Sequence, residues 1–236
     1  VATRAALTVT FIGRKLGLYL GAAPEHVGHL VFDGLQVPPE TDSVATPVAR
    51  LLGEGDVHGA LPRRRRAAHK GDHGHVLVIG GGPGMPGAAR LAGEAALRSG
   101  AGLVTLAVHP ENVGVVAARP ELMCVPSHSA SDLVTALSRA TVVAVGPGLG
   151  QGDWSKALFE AALASSKPLV VDADALNLLA AMPRRHDRWV LTPHPGEAAR
   201  LLGTTSAAVQ ADRLTAARQL QERYDGTVVL KGAGSI

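Results

Sequence analysis

The hydrophobic pattern changes at about residue 70, where short apolar runs begin to alternate with longer segments of helical spacing. The runs contain few polar positions, which is typical of strands covered on both faces. They predict strands at 75–79, 103–108, 141–145, 168–171, 189–191 and 227–230, with a weaker strand around Met123. This alternation of strand and helix predicts an α/β fold, a mostly parallel sheet with helices on both faces.

The segments between the runs carry apolar residues at the spacing of one helix face. One helix is predicted to open at Pro86 and to run to about residue 99, with small residues toward the sheet: Ala88, Leu91, Ala92, Ala95 and Ala96. Others are predicted at 111–116, 131–138, 154–165 and 176–180, and one begins at Gly196 or Glu197. A single long helix follows, with one face made of Ala207, Ala211, Leu214, Ala217, Leu220 and Tyr224.

The first 69 residues have a different organisation. Two strands are predicted there, at 7–11 and 27–32, and two strands alone cannot enclose a core. We therefore expect residues 1–38 to be the tail of another domain, 39–69 a linker, and 70–236 the main domain. The arginines at 63–66 are interpreted as a solvated surface, with a rim that attracts phosphate as the alternative.

Composition narrows the possible functions. Apolar residues make up 46% and aromatics 3% of the 236 residues, so the core is built from Ala, Val and Leu. The net charge of +3 without stacking aromatics argues against a nucleic-acid surface and favours an anionic small molecule. The only cysteine, Cys124, is interpreted as a buried, inert thiol. The chain has no apolar run of membrane-spanning length and no signal-peptide pattern, so we expect a cytoplasmic protein without a membrane partner.

Four loops that follow predicted strands are expected to line one edge of the sheet, where α/β proteins bind ligands. Residues 80–87 contain the spacing G-x-G-x-x-G, but two prolines interrupt it and the next strand ends in His109-Pro110 instead of an acid, so a Rossmann dinucleotide site is disfavoured. Residues 146–150 could form a tight structural turn. Residues 172–177 place two carboxylates at a helix start, and we expect at least one of them to cap that helix. Residues 231–235 offer an ammonium, flexible amides and a hydroxyl suited to phosphate.

His194 lies between Pro193 and Pro195, with Glu197 one helical turn further on. The residues alone leave open whether this histidine is structural or catalytic. The sequence contains neither the Ser-His-Asp order nor a metal-ligand spacing such as H-x-x-x-H, so hydrolase and metalloenzyme interpretations lack support.

Taken together, these segments resemble the NAD(P)H-hydrate dehydratase family, which has a ribokinase-like fold. The resemblance rests on residues 70–74, 80–89, 100–104, 119–123, 146–150, 172–177, 192–197 and 200–202. Residues 1–38, notably 7–11 and 15–18, resemble the tail of the NAD(P)H-hydrate epimerase domain, which precedes the dehydratase in many bifunctional bacterial proteins.

The resemblance implies that the S epimer of the NADH or NADPH hydrate (NADHX or NADPHX) loses water while ADP becomes AMP and phosphate. If the binding residues of the family are transferred to the matching positions of this sequence, the residues that contact the hydrate would be Ala88, Gly148, Gly150 and His194. The nucleotide phosphates, together with Mg²⁺, would be held by Lys231, Gly232, Ala233, Gly234 and Ser235. Possible supporting residues are Asp172, Asp174, Asn177 and Glu197. The epimerase part would use K⁺, and the family is often a homo-oligomer.

The same resemblance places the catalytic Asp, in a Gly-Asp motif, beyond Ile236. We therefore expect no catalytic residue and no metal ligand within these residues, which would be an interior piece of a bifunctional protein. The piece alone is expected to bind its ligands poorly and not to turn over. Two alternatives remain open: a kinase of the same fold that acts on a vitamin precursor or sugar, and a non-catalytic nucleotide-binding module.

Overall fold

The computed structural model describes residues 2–38, 46–61, 63–116 and 118–236. These residues form two compact units, which are described separately. The smaller unit contains the described residues up to Ala68 together with Gly232–Ser235, and the larger contains His69–Lys231 with Ile236. No helix among the described residues is long and apolar enough to span a membrane.

The smaller unit holds a two-stranded parallel sheet. Strand β1 (Leu7–Phe11) pairs with β2 (His29–Asp33), and the short helix α1 (Pro24–Val27) precedes β2. The strand predicted at 27–32 is confirmed, but it begins two residues later, because Gly28 turns the chain with a φ of +58°. A Cβ on Gly28 would lie 2.3 Å from the Ala5 carbonyl oxygen, so only glycine permits this approach.

The predicted linker over 39–69 contains one helix, α2 (Glu54–Ala60). Residues 39–45 and 62 of that linker lie outside the described residues. The amide of Gly21 donates to the carbonyl of Ala233 at 3.1 Å, a contact that places the segment Gly232–Ser235 in the smaller unit.

The larger unit is built on seven parallel strands. In chain order these are β3 (His75–Ile79), β4 (Leu103–Val108), β5 (Met123–Pro126), β6 (Val142–Val145), β7 (Leu169–Val171), β8 (Trp189–Leu191) and β9 (Thr227–Val228). Their spatial order is β5-β4-β3-β6-β7-β8-β9, with every neighbouring pair parallel. The predicted parallel sheet is confirmed, and because the strand order reverses beside β3, the switch point lies between β3 and β6.

Helices cover this sheet on both faces, as predicted. They are α3 (Pro86–Arg98), α4 (Val113–Val116), α5 (Val134–Arg139), α6 (Asp153–Ala164), α7 (Asp174–Ala181), α8 (Pro195–Leu202), α9 (Ser206–Ala211) and α10 (Arg213–Tyr224). Alternate residues of β3 enter different cores: Leu77 and Ile79 join one cluster of buried side chains, and Val78 joins another. The period of two along a strand produces this division.

The face that α3 presents to the sheet matches the prediction in part, since Ala92 and Ala96 pack against one of the buried clusters. Ala89 and Gly93 are buried, whereas Leu91 is 69% exposed. A Cβ on Gly93 would lie 2.7 Å from Leu106 Cδ2, so the helix approaches the sheet along its smallest residues.

The single long helix predicted after residue 203 is two helices, α9 and α10. Asp212 interrupts them with φ −143° and ψ 83°, and its carboxylate accepts the Thr215 amide at 3.0 Å as the cap of α10. This backbone hydrogen bond holds the pKa of Asp212 below its usual value. The apolar spacing continues across the break, so periodicity alone could not reveal it.

Candidate active site

The carboxyl ends of the parallel strands bring the predicted loops to one edge of the larger unit. The loop at 80–85 follows β3 and the loop at 146–150 follows β6, so these two meet at the switch point, where open α/β sheets bind ligands. The turns after β7 and β8 come next along the same edge, and Lys231 lies just beyond β9.

The two Gly-rich loops are hydrogen bonded to each other. The amides of Gly81 and Gly82 donate to the carbonyls of Pro147 and Gly148, at 3.0 and 2.6 Å. A Cβ on Gly80 would lie 2.1 Å from the Pro147 carbonyl oxygen. These glycines therefore allow the two loops to pack closely. Because the amides of Gly81 and Gly82 donate to the second loop, they do not face a pyrophosphate as the amides of a Rossmann dinucleotide site do.

Asn112 fixes the first loop from the other side, a role that the sequence reasoning missed. Its side-chain amide donates to the carbonyls of Gly81 and Gly82, at 3.0 and 2.7 Å, and the residue is 6% exposed. The signal available in the sequence was the position of Asn112, shortly after the strand predicted at 103–108. The structure places it in the 3-10 turn Pro110–Asn112, which follows β4 at the same edge.

The predicted hydrate-contacting residues Ala88 and Gly148 lie side by side. A Cβ on Gly148 would be 2.9 Å from Ala88 Cβ, so this position accepts no side chain without displacing α3. The second loop is also a tight turn, in which the Leu149 amide donates to the Gly146 carbonyl at 3.0 Å.

Neither carboxylate at the start of α7 caps that helix, so the capping expectation was wrong. The N-cap position is Ala173, which offers no side-chain acceptor. Asp174 Oδ2 instead accepts the Gly150 amide at 2.8 Å, in the loop after β6. Ala173 adopts φ +49° and ψ −118°, a conformation that costs a non-glycine residue about 1–3 kcal/mol.

Asp172, the other carboxylate of this turn, contacts residues that follow β8 and β9. Its Oδ1 accepts from Lys231 Nζ at 2.6 Å and from Thr192 Oγ1 at 2.8 Å. The backbone of Lys231 is held as well, because its amide donates to the Pro193 carbonyl at 2.8 Å and Arg213 Nη2 donates to its carbonyl at 3.1 Å. The predicted phosphate-binding lysine is thus bound to β7 and β8 loop residues and remains partly exposed.

His194 is the N-cap of α8, which begins at Pro195, one residue earlier than predicted. Its Nδ1 accepts the Gly196 amide at 2.9 Å, and Glu197 Oε2 accepts the His194 amide at 2.8 Å in return. The Glu197 side chain is 7% exposed and its Oε1 lies 3.4 Å from His194 Nε2. Because Nδ1 acts as an acceptor, the proton of the neutral ring lies on Nε2, the nitrogen that faces Glu197 Oε1.

The remaining predicted residues have other partners or belong to the other unit. Asn177 Oδ1 accepts from Arg200 Nη1 at 2.8 Å, which ties α7 to α8. Gly232, Ala233, Gly234 and Ser235 belong to the smaller unit.

No group of three or more His, Cys, Asp and Glu side chains that could hold a metal ion occurs in the part of the chain that the structure describes. Cys124 is half-buried in β5, and burial raises the pKa of its thiol, which agrees with an inert side chain.

Solved structures similar to the chain define its fold class. A ribokinase-like superfamily protein from Enterococcus faecalis aligns with a TM-score of 0.66 and 28% identity, over 78% of this chain and 69% of that one. An ADP/ATP-dependent NAD(P)H-hydrate dehydratase from Bacillus subtilis, co-crystallized with ATP and Mg²⁺, aligns with a TM-score of 0.67 and 29% identity, over 78% of this chain and 66% of that one. The larger unit is therefore a ribokinase-like domain.

The sequence comparisons are more specific. The profile of the NAD(P)H-hydrate dehydratase family matches residues 76–236, and the chain belongs to that family. The bifunctional NAD(P)H-hydrate repair enzyme Nnr of Coxiella burnetii is 52% identical over 236 residues, which is all of this chain and 48% of the relative. The Escherichia coli enzyme of the same name is 48% identical over 231 residues, 97% of this chain and 44% of the relative. The chain spans about half the length of these curated relatives.

Proposed function

We propose that the protein containing this chain repairs nicotinamide nucleotides by ADP-dependent dehydration of the S hydrates NADHX and NADPHX. The observation that carries the proposal is the family match over residues 76–236, which includes the whole carboxyl edge from β3 to Lys231. The solved Bacillus subtilis relative is named as a dehydratase that depends on ADP or ATP, which supports the nucleotide requirement.

The chemistry requires hydroxide to leave the hydrated ring. Hydroxide is a poor leaving group, so transfer of the β-phosphoryl group of ADP to the hydroxyl, with loss of its proton, converts it into phosphate, a good one. Loss of that phosphate, together with a proton from the adjacent ring carbon that passes to solvent, restores the ring double bond of the dihydronicotinamide, and the products are AMP, phosphate and NADH or NADPH. In this proposal Lys231 supplies positive charge to the transferring phosphoryl group.

The residues at the edge have separate parts in this proposal. Ala88 and Gly148 pack closely against each other, and we propose that together they form one wall of the hydrate site. His194 donates its Nε2 proton to the hydrate in place of the Glu197 carboxylate that this atom faces, while Nδ1 holds the ring by accepting the Gly196 amide. We propose Gly150 as a further hydrate contact, and Gly232, Ala233, Gly234 and Ser235 as contacts to the nucleotide phosphates.

The described residues contain no cluster of three or more His, Cys, Asp and Glu side chains that would hold Mg²⁺ without a nucleotide. Mg²⁺ commonly reaches such enzymes on the nucleotide phosphates, with few protein ligands. We therefore propose Mg²⁺ as a companion of ADP, and no step of the reaction is assigned to it.

The test uses the full-length protein, purified and supplied with NADPHX. Addition of ADP should restore the near-ultraviolet absorbance of NADPH, and omission of ADP should abolish it. His194→Ala should lower turnover, whereas Asp187→Asn, at an exposed position before β8, should not. Nucleotide consumption with a phosphorylated product and no return of absorbance would contradict the proposal and favour a kinase.

The match of the Nnr relatives extends over the residues before 76, which supports a second, epimerase activity of the full-length protein. We propose that this activity interconverts the R and S hydrates and uses K⁺. We further propose a cytoplasmic homo-oligomer that binds neither nucleic acid nor membranes. Equilibrium sedimentation tests the assembly. Complete conversion of a mixture of the R and S hydrates to NADPH tests the epimerase, because dehydration of the S hydrate alone would leave the R hydrate unused.

A further inference from the structure

The turn Asp172-Ala173-Asp174 sends its two carboxylates to different loops. Asp172 Oδ1 contacts Lys231 Nζ at 2.6 Å and Thr192 Oγ1 at 2.8 Å, on the side of β8 and β9. Asp174 Oδ2 contacts the Gly150 amide at 2.8 Å, on the side of β6. Since β7 lies between β6 and β8, the turn is positioned to reach both neighbours.

An ordinary extended strand could not do this, because residues two apart point to the same face. Ala173 provides the exception, because its positive φ of +49° turns the chain between the end of β7 and Asp174, the first residue of α7. Strained residues of this kind persist where the surrounding structure fixes them, and they concentrate at functional sites.

The surrounding backbone does fix this turn. The Asp172 amide donates to the Val145 carbonyl at 3.0 Å. A Cβ on Gly146 would lie 1.7 Å from the Asp172 carbonyl oxygen, so the loop after β6 lies directly against the turn.

We propose that Asp172 and Asp174 are positioning residues: Asp172 orients the Lys231 ammonium toward the nucleotide phosphates, and Asp174 orients Gly150 toward the hydrate. The inference rests on the proposed function and adds to it how one turn serves both ligands. A lysine side chain is flexible and has no fixed donor direction, so a carboxylate partner is what limits its position. The side chains of Lys231 and Asp172 are 41% and 31% exposed, which leaves the pair open to a ligand.

The two roles predict that each variant of the full-length protein raises the KM of a different substrate. Asp172→Asn removes the charge that holds Lys231 and should raise the KM for ADP by about tenfold, while the KM for the hydrate changes by less than about twofold. Asp174→Ala removes the acceptor of the Gly150 amide and should raise the KM for the hydrate by about tenfold, with little change for ADP. Asp174→Asn keeps a carbonyl oxygen in place and should restore most of the loss, which distinguishes positioning from simple packing.

Binding of ADP, followed by calorimetry on the same proteins, separates this inference from the proposed function. Asp172→Asn should weaken ADP binding by about tenfold and Asp174→Ala should not, even if the wild-type protein turned out to catalyse another reaction. Asp187→Asn is the matched control and should bind ADP as the wild type does. Thermal unfolding and circular dichroism show whether each variant is folded.

Two results would overturn the inference. One is an unchanged or lower KM for ADP in Asp172→Asn, since the carboxylate would then only neutralise the ammonium. The other is an equal rise of both KM values in both variants, which would indicate a structural turn without separate roles. If the wild-type protein neither binds ADP nor restores NADPH, the inference and the proposed function fail together; if it restores NADPH but the variants do not separate, only the inference fails.

Discussion

Gly146→Ala tests the close packing of the loop after β6 against the turn after β7. Gly146 is buried with a φ of +123°, and an added Cβ would lie 1.7 Å from the Asp172 carbonyl oxygen and 2.9 Å from Ala175 Cβ. The clashing atoms are backbone and a helix Cβ, so no flexible side chain can move away.

Two costs combine in this variant. A positive φ costs an alanine about 1–2 kcal/mol, and overpacking of a rigid site costs about 1–3 kcal/mol. We therefore expect a loss of about 2–5 kcal/mol in the free energy of unfolding, which for a chain of this size lowers the Tm by roughly 4–20 °C.

Two matched glycines separate these contributions in thermal unfolding. Gly203→Ala has a φ of +68° but no atom within 4 Å of the new Cβ, so it should lose only the first contribution. Gly114→Ala lies in α4 with neither problem and should be neutral or slightly stabilising. The reasoning is refuted if Gly146→Ala is no less stable than Gly203→Ala.

Three further changes have defined expected results. Ala173→Gly should raise the free energy of unfolding by about 1 kcal/mol, because relief of the strain at φ +49° exceeds the added flexibility of the unfolded chain; chemical denaturation that shows a loss would contradict the strain. Asn112→Ala should lower it by about 1–2 kcal/mol, since the carbonyls of Gly81 and Gly82 each lose the side-chain donor and keep a backbone amide donor, and a variant as stable as the wild type in the same titration would refute that role. Desolvation, and to a lesser degree the charge of Arg139, lowers the pKa of His75 from 6.5 in the folded protein. The unfolded chain therefore binds the proton more tightly than the folded protein does. The free energy of unfolding should fall as the pH drops below about 6.5 toward the folded-state pKa. His75→Gln should reduce that dependence in Tm measured between pH 5 and pH 7.5, approximately the titration range of an unperturbed histidine; an unchanged pH profile would exclude this histidine as its cause.

The parallel sheet was predictable because its strands are covered on both faces. Runs such as His75–Ile79 and Leu103–Val108 carry almost no polar residues, and their parallel order follows from the intervening helices. The convergence of the Gly-rich and Asp-rich loops at one edge follows directly from that order.

The partners of individual side chains at the edge were not predictable in the same way. Asp174 at a helix start has the composition of a cap, but the neighbouring Gly150 amide is a tertiary partner that local sequence does not show. The ion pair of Asp172 with Lys231 joins residues far apart in the chain for the same reason. His194 could be singled out as a candidate because it lies between two prolines, while its use of Nδ1 as a helix cap depends on φ and ψ values that only the structure provides.

The stoichiometry of the reaction tests the central claim most directly. Full-length protein, limiting ADP and excess NADPHX should yield one AMP and one phosphate for each NADPH restored, measured by chromatography of the nucleotides and by absorbance. Restoration of NADPH without loss of ADP, or loss of ADP with a stable phosphorylated product, would contradict a dehydratase built on this edge of the sheet.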